Sequence, residues 1–159
     1  MVERFEKFSY AIYEISRCWH KIAHDELKKY GIKGSYATYF TAMYRHENGI
    51  TAARLSEVCG RDKADVSRAL SLLENKGFVI RKENGRNHYR AKVFLTNAGN
   101  ELAAYIIRRI HVALDIGGNG LNIAQRDTFY QCLELIAANM RDISENGLPE
   151  NSPYESSQQ

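Results

Sequence analysis

Residues 51–96, TAARLSEVCGRDKADVSRALSLLENKGFVIRKENGRNHYRAKVFLT, decide the fold. Thr51 to about Val58 reads as a short helix with Thr51 as its cap and Ala53, Leu55 and Val58 on the buried side. Cys59-Gly60 ends it, because Gly60 tolerates the positive φ of a tight turn. A second helix opens at Asp62, whose carboxylate can accept from the unpaired N–H groups of the first turn, with Asp65 three places on as a weaker capping partner. Val66, Ala69, Leu70 and Leu73 then recur at helical spacing and give that helix one interior face. The other face carries Lys63, Ala64, Ser67, Arg68 and Ser71. Gly77 stops the helix, and Phe78-Val79-Ile80 and Ala91 to Leu95 read as strands joined by residues 83–89, where Asn84-Gly85 is a strong hairpin signal.

Two short helices, a turn and a basic hairpin make a winged helix-turn-helix, so the fold class is mainly α with a small β-hairpin wing. The second helix has the composition of one that reads duplex DNA: small residues allow close approach to base edges, while hydroxyl, ammonium and guanidinium groups meet phosphate. Lys63, Ala64, Ser67, Arg68 and Ser71 are therefore the expected major-groove residues, with Thr51 and Arg54 at the backbone near the first helix. Arg81, Lys82, Arg86, Arg90 and Lys92 lie along the hairpin, which suits a wing that meets a minor groove or phosphates. Residues 50–96 hold ten Lys or Arg against five Asp or Glu, a surplus of +5 in a chain whose net charge is +3. The basic surplus is thus local, as an electrostatic footprint for phosphate requires. The plain alternative is a solvated hairpin behind an ordinary helical hairpin.

The run resembles the multiple-antibiotic-resistance regulator (MarR) family of bacterial winged-helix transcription factors. The resemblance rests on Arg54-Leu55-Ser56, Val66-Ser67-Arg68, the stretch Leu73-Glu74-Asn75-Lys76-Gly77-Phe78-Val79-Ile80-Arg81, and Leu95-Thr96-Asn97-Ala98-Gly99. It implies a homodimer in which one long helix before the winged helix and two after it form the dimerisation region. Many members carry Asp-Arg-Arg in the second half of the wing, where this chain has Asn87-His88-Tyr89. Arg86 and Arg90 stand either side of that departure and are the expected source of wing charge, with Asn87 and His88 as further DNA-binding candidates.

The rest of the chain supplies those flanks. Phe5, Phe8, Ile12, Ile15, Trp19 and Ile22 form an apolar stripe on a helix from about Glu3 to Tyr30, and Gly31 to Gly34 breaks it. A helix from about Ser35 to His46 leads through Glu47-Asn48-Gly49 into the DNA-binding half. Beyond the wing, Asn97 to about Ile116 carries Leu102, Ile106, Ile110 and Leu114; after Gly117-Gly118-Asn119-Gly120, Leu121 to about Ser144 carries Phe129, Leu133, Ile136 and Met140. The expected organisation is 1–34 and 97–145 for dimerisation, 35–96 for DNA binding and a disordered tail at 146–159. One small lobe cannot cover all these apolar faces, and a second copy can; a compact monomer is the alternative. A symmetric dimer sets two reading helices about one DNA turn apart, ~34 Å, so the expected partner is double-stranded DNA with an inverted-repeat operator.

No stretch is apolar and long enough to span a bilayer, and no signal-peptide core follows Met1, so a cytoplasmic location without membrane association is expected. Cys18, Cys59 and Cys132 are scattered without a C-x-x-C, which points away from a disulfide framework or a zinc ribbon. The resemblance implies a small aromatic or metal ligand between dimerisation helices and DNA-binding lobe, and a switch of that kind needs different affinities for two helix spacings. Tyr10, Tyr13, Tyr36, Tyr39 and Tyr44 either line an aromatic cavity or serve as core and interface residues, the second being the commoner role. His20 and His24 share a helix face, with Cys18, Asp25 and His111 as conceivable companions, but such a pair is more often a surface feature than a metal site. In the peroxide-sensing branch a Cys precedes a segment like Tyr10-Ala11-Ile12-Tyr13; Ser9 stands there, and Cys18 and Cys59 read as packed thiols. No G-x-S-x-G, H-E-x-x-H or phosphate-binding glycine loop is present, so neither an enzyme nor a cofactor is expected. The expected function is a sequence-specific transcriptional regulator, a homodimeric repressor released by a small ligand. The alternative is a winged-helix protein-interaction or architectural DNA-binding module without an inducer.

Overall fold

The structure is a computed structural model that describes residues 2–82 and 91–148, the side chains of residues 2 and 5 excepted. Two compact units divide the chain, Met1–Val112 and Ala113–Gln159. The elements are α1 (Val2–Leu27), α2 (Ala37–Tyr44), β1 (Ile50–Thr51), α3 (Ala52–Cys59), α4 (Lys63–Asn75), β2 (Val79–Lys82), β3 (Lys92–Leu95), α5 (Asn97–Gly117) and α6 (Ile123–Asn146), with single 3-10 turns at Lys28–Tyr30 and Gly34–Tyr36. This is the mainly helical winged-helix layout that the sequence predicts.

In the first unit α2 packs on α3 and α3 on α4, while an antiparallel sheet of order β1-β3-β2 closes one side. The register pairs Val79 with Leu95 and Lys82 with Lys92, and sets Ile50 against Val93. Side-chain alternation then sends Val79, Val93 and Ile50 inward. They join Phe40 and Met43 of α2, Leu55 of α3, the four buried residues of α4 (Val66, Ala69, Leu70 and Leu73), and Leu102, Ala103 and Ile106 of α5 in one core. Phe40 meets Phe78 edge to face with centroids 5.9 Å apart, which ties α2 to the start of the wing.

Three local expectations change. A two-residue strand, β1, adds a third member to the wing sheet; it is too short to leave an alternating pattern in sequence. The helix expected from Ser35 starts as a 3-10 turn and becomes α2 only at Ala37; that turn opens at Gly34, which lies so close to α1 that a Cβ there would come within 2.5 Å of the His24 backbone nitrogen. On α3 only Leu55 is fully buried, whereas Ala53 and Val58 are exposed. Cys59, four residues beyond Leu55, takes the inward place expected of Val58 and directs its Sγ at the Thr38 carbonyl, 3.6 Å away.

Chain turns follow the capping chemistry. Gly60 (φ 59°) closes α3, and Gly77 (φ 75°) lets the chain leave α4 for β2. Gly99 answers to proximity instead: a Cβ there would sit 2.0 Å from the Phe78 carbonyl oxygen. Thr96 fastens the same corner, its hydroxyl donating to the Gly77 carbonyl at 2.7 Å and accepting from the Gly99 N–H at 3.0 Å.

The long helices differ from this core. Along α1, Phe8, Ile12, Ile15 and Ile22 are exposed and Trp19 is half-buried. In the second unit, α6 opens with a capping box between Asn122 and Gln125 and has no buried residue; Phe129, Leu133, Ile136 and Met140 all face outward. No helix of the described residues is long and apolar enough to cross a membrane.

Candidate nucleic-acid interface

The site is built on α4. Asp62 caps it, the carboxylate accepting from the Asp65 N–H at 2.7 Å, and the Asp62 backbone is extended as a cap position requires. Val66, Ala69, Leu70 and Leu73 are buried, so helical geometry sends Lys63, Ala64, Ser67, Arg68 and Ser71 outward, and all five are exposed. Side chains of three polar types therefore share one solvent face at the start of a capped helix, whose N-terminal end carries partial positive charge.

Thr51 and Arg54 lie at the start of α3. The Thr51 hydroxyl accepts from the Arg54 N–H at 3.2 Å, and Arg54 extends to Glu57 at 2.9 Å on the exposed surface. Between α3 and α4, the Arg61 N–H donates to the Ser56 carbonyl at 3.0 Å and the Ser56 hydroxyl donates back to the Arg61 carbonyl. That reciprocal pair fixes the turn, while the Arg61 side chain is exposed beside the first turn of α4.

Arg61 is a further exposed cation beside that face, one that the expected site residues do not include. The signal was a cation in the turn, immediately before the capping residue.

Wing-base cations are more committed than their sequence positions imply. Arg81 pairs with Glu74 of α4 at 3.2 Å, Lys82 lies 5.1 Å from the centre of the Phe94 ring, and the Lys92 ammonium donates to the Asn48 carbonyl at 3.1 Å. Each contact pins a strand to its surroundings. Arg86, Asn87, His88 and Arg90 lie outside the described residues.

One link reaches from the core to the exposed face. Tyr39 of α2 is buried, and its hydroxyl donates to Asp65 Oδ2 at 2.9 Å. Burial, then the hydrogen bond to that carboxylate, pushes the Tyr39 phenol well above its ordinary value, so it remains a neutral donor. The other Asp65 oxygen stands 3.7 Å from Arg68 Nη2.

The remaining candidates are dispersed. Tyr36 and Tyr39 sit in the core with centroids 5.5 Å apart, whereas Tyr10 and Tyr13 are exposed on α1. His20 Nδ1 lies 2.6 Å from the Ser16 carbonyl of its own helix. Among the described residues no three His, Cys, Asp or Glu side chains converge as a metal site. Of the two thiols expected to be packed, Cys59 is half-buried, and burial pushes its thiol up, which makes it a poor nucleophile; Cys18 is instead exposed on α1. A crevice of about 520 Å³ opens between the end of α2, β3 and the first turns of α5, lined by Met43, Tyr44, Phe94 and Ala104 with His46, Glu47, Asn100 and Glu101 at polar positions.

The sequence profile of the MarR family matches residues 30–88. The HTH-type transcriptional regulator YybA of Bacillus subtilis (strain 168) is 22% identical over 126 residues, covering 79% of this chain and 83% of its own length. A MarR transcriptional regulator from Methanosarcina mazei Go1 superposes with a TM-score of 0.75 at 25% identity, covering 87% of this chain and 92% of its own. A MarR-family regulator from Listeria monocytogenes, solved in complex with a 26mer DNA, superposes with a TM-score of 0.78 at 23% identity, covering 90% and 97%.

Proposed function

We propose that the chain is a winged-helix transcriptional regulator of the MarR family, a homodimeric repressor that occupies an inverted-repeat operator and is released by a small ligand. The observation that carries the reading is the division of α4, which buries Val66, Ala69, Leu70 and Leu73 and turns Lys63, Ala64, Ser67, Arg68 and Ser71 outward. In this reading Lys63, Ser67, Arg68 and Ser71 meet the major groove and its phosphates, and Ala64 allows close approach. Thr51, Arg54 and Arg61 lie along the backbone, and Arg86, Asn87, His88 and Arg90 supply the wing. The Listeria relative solved with a 26mer DNA supports DNA as the partner. The exposed apolar rows of α1 and α6 support pairing with a second copy, because water-facing rows of this length are costly in a monomer. The proposed division of labour is 35–96 for DNA and 1–34 with 97–145 for dimerisation.

The crevice beside α2, β3 and α5 is of a size that takes a small aromatic ligand, and it touches both the wing strand and a proposed dimerisation helix. A ligand seated there has a route to the spacing of the reading helices, provided it prefers one spacing.

The test is genomic-fragment selection with purified protein at moderate salt, then titration of the recovered fragment with the wild type and Arg68→Ala. Recovery of an inverted repeat, with affinity lowered at least about tenfold in the variant at unchanged thermal stability, supports the reading. Equal affinity in the variant removes α4 as the reader. Weak binding of any duplex without sequence preference removes the operator.

A further inference from the structure

A carboxylate in the first turn of a DNA-reading helix opposes binding, since it faces the same phosphates that the cations attract. Asp65 is such a group, and its side chain is one-third exposed. Its surroundings give it a different task. The backbone N–H of Asp65 is held by Asp62 at 2.7 Å and its Oδ2 by the buried Tyr39 hydroxyl at 2.9 Å. Both anchors of the first turn of α4 therefore converge on one residue.

Chemistry favours this joint. A buried phenol needs an acceptor, and a carboxylate gives a stronger bond than a neutral oxygen. Tyr39 is fixed by its ring in the core, with the Tyr36 ring tilted against it at 42° and 5.5 Å between centroids, so its hydroxyl is a fixed point. Asp65 Oδ1 faces Arg68 at 3.7 Å, one helical turn on. The chain of contact runs from the core of α2, through one carboxylate, to the guanidinium on the outer face of α4.

We propose that Asp65 is a positioning residue for DNA reading: through the Tyr39 hydroxyl it fixes the first turn of α4 and the direction of Arg68, so that it supplies sequence discrimination at a cost in overall affinity. The inference rests on α4 being the reading helix. Phosphate attraction depends on charge and tolerates small displacements; base readout depends on hydrogen-bond geometry and does not. Loosening the anchor therefore lowers operator affinity while leaving non-specific affinity in place. Removing the Asp65 charge raises affinity for every duplex.

The experiment measures affinities for the selected operator fragment and for a random-sequence duplex of equal length, across a salt series, in wild type, Tyr39→Phe, Asp65→Asn and Asp65→Ala. Thermal melting accompanies each variant as a fold check. Wild-type binding with an operator preference establishes the underlying reading first; absence of that preference defeats the reading itself, independently of the variants. Tyr39→Phe is expected to lower the operator-to-random ratio roughly tenfold, with random-duplex affinity and salt slope unchanged. Asp65→Ala lowers the ratio similarly and tightens random-duplex binding. Asp65→Asn lowers the ratio less than Asp65→Ala, because its amide oxygen still accepts from Tyr39 while its NH2 group faces Arg68 in place of a carboxylate oxygen, and it tightens random-duplex binding. A wild-type ratio in both Tyr39→Phe and Asp65→Ala overturns the proposal, as does an Asp65→Asn ratio as low as that of Asp65→Ala. Should Tyr39→Phe fail to fold, the Asn and Ala pair at position 65 decides alone.

Discussion

Helices α4 and α6 are both amphipathic, yet their apolar rows meet opposite fates. Val66, Ala69, Leu70 and Leu73 of α4 are all buried, whereas α6 is almost twice as long and buries none of its residues. Periodicity alone does not separate them, since each repeats apolar residues at three- and four-residue steps. The difference is in their neighbours. α4 is followed within a few residues by β2 and preceded by α3, and both fold back on it through the turns at Gly60 and Gly77. In α6 the row Phe129, Leu133, Ile136 and Met140 remains open, and the same holds for Phe8, Ile12 and Ile15 of α1. An apolar row therefore states that something covers it, and leaves open whether the cover is the same chain.

Substitutions can sharpen this contrast. The largest effect is expected at Leu70, which is fully buried: Leu70→Ala should cost about 2–5 kcal/mol in chemical denaturation, through the lost transfer energy and the cavity left behind. A smaller loss, below about 1 kcal/mol, would mean that the lobe is far more adaptable than its close core implies.

The double variant Leu133→Lys/Met140→Lys should behave in the opposite way. It removes no contact buried within one chain, so its effect is expected in the oligomeric state, with solution mass halved and the melting temperature no longer rising with protein concentration. An unchanged mass would exclude the α6 row as a pairing surface.

The smallest effect is expected at Glu26, where α1 meets α5. Its carboxylate accepts from the Tyr105 hydroxyl at 2.5 Å and from Arg109 Nε at 2.8 Å, and Lys29 donates to the same hydroxyl at 2.6 Å. Tyr105 first, then Arg109, holds the carboxyl below its ordinary value of 4.5. A carboxylate with a lowered folded-state pKa stabilises fully above its unfolded value and loses that contribution as pH falls through the folded one. Glu26→Gln should therefore lower stability modestly at neutral pH and flatten the decline below pH 4.5, as read by thermal melting across a pH series. Parallel acid limbs for wild type and variant would count against the clasp.

Legibility in the sequence followed the range of the interaction. The Asp62 cap, the α4 core row and the exposed Lys63, Ser67 and Arg68 are all local, and each lies where spacing puts it. Val58 was misplaced because α3 spans only eight residues, and so short a helix leaves two plausible inner faces; contact with α2 chooses Leu55 and Cys59. β1 has two residues and no pattern to read. Arg81 looked like wing charge until the fold brought Glu74 to it. The Tyr39 and Asp65 partnership spans 26 residues and two helices, and nothing in the spacing of either residue announces it.

The lobe proposed to read DNA and the helices proposed to pair two copies are tested at once by the mass of the complex on the selected operator. The prediction is two chains on one inverted repeat, formed in a single cooperative step and lost steeply as salt rises. One chain per duplex, or a ladder of species that grows with duplex length without regard to sequence, would contradict it.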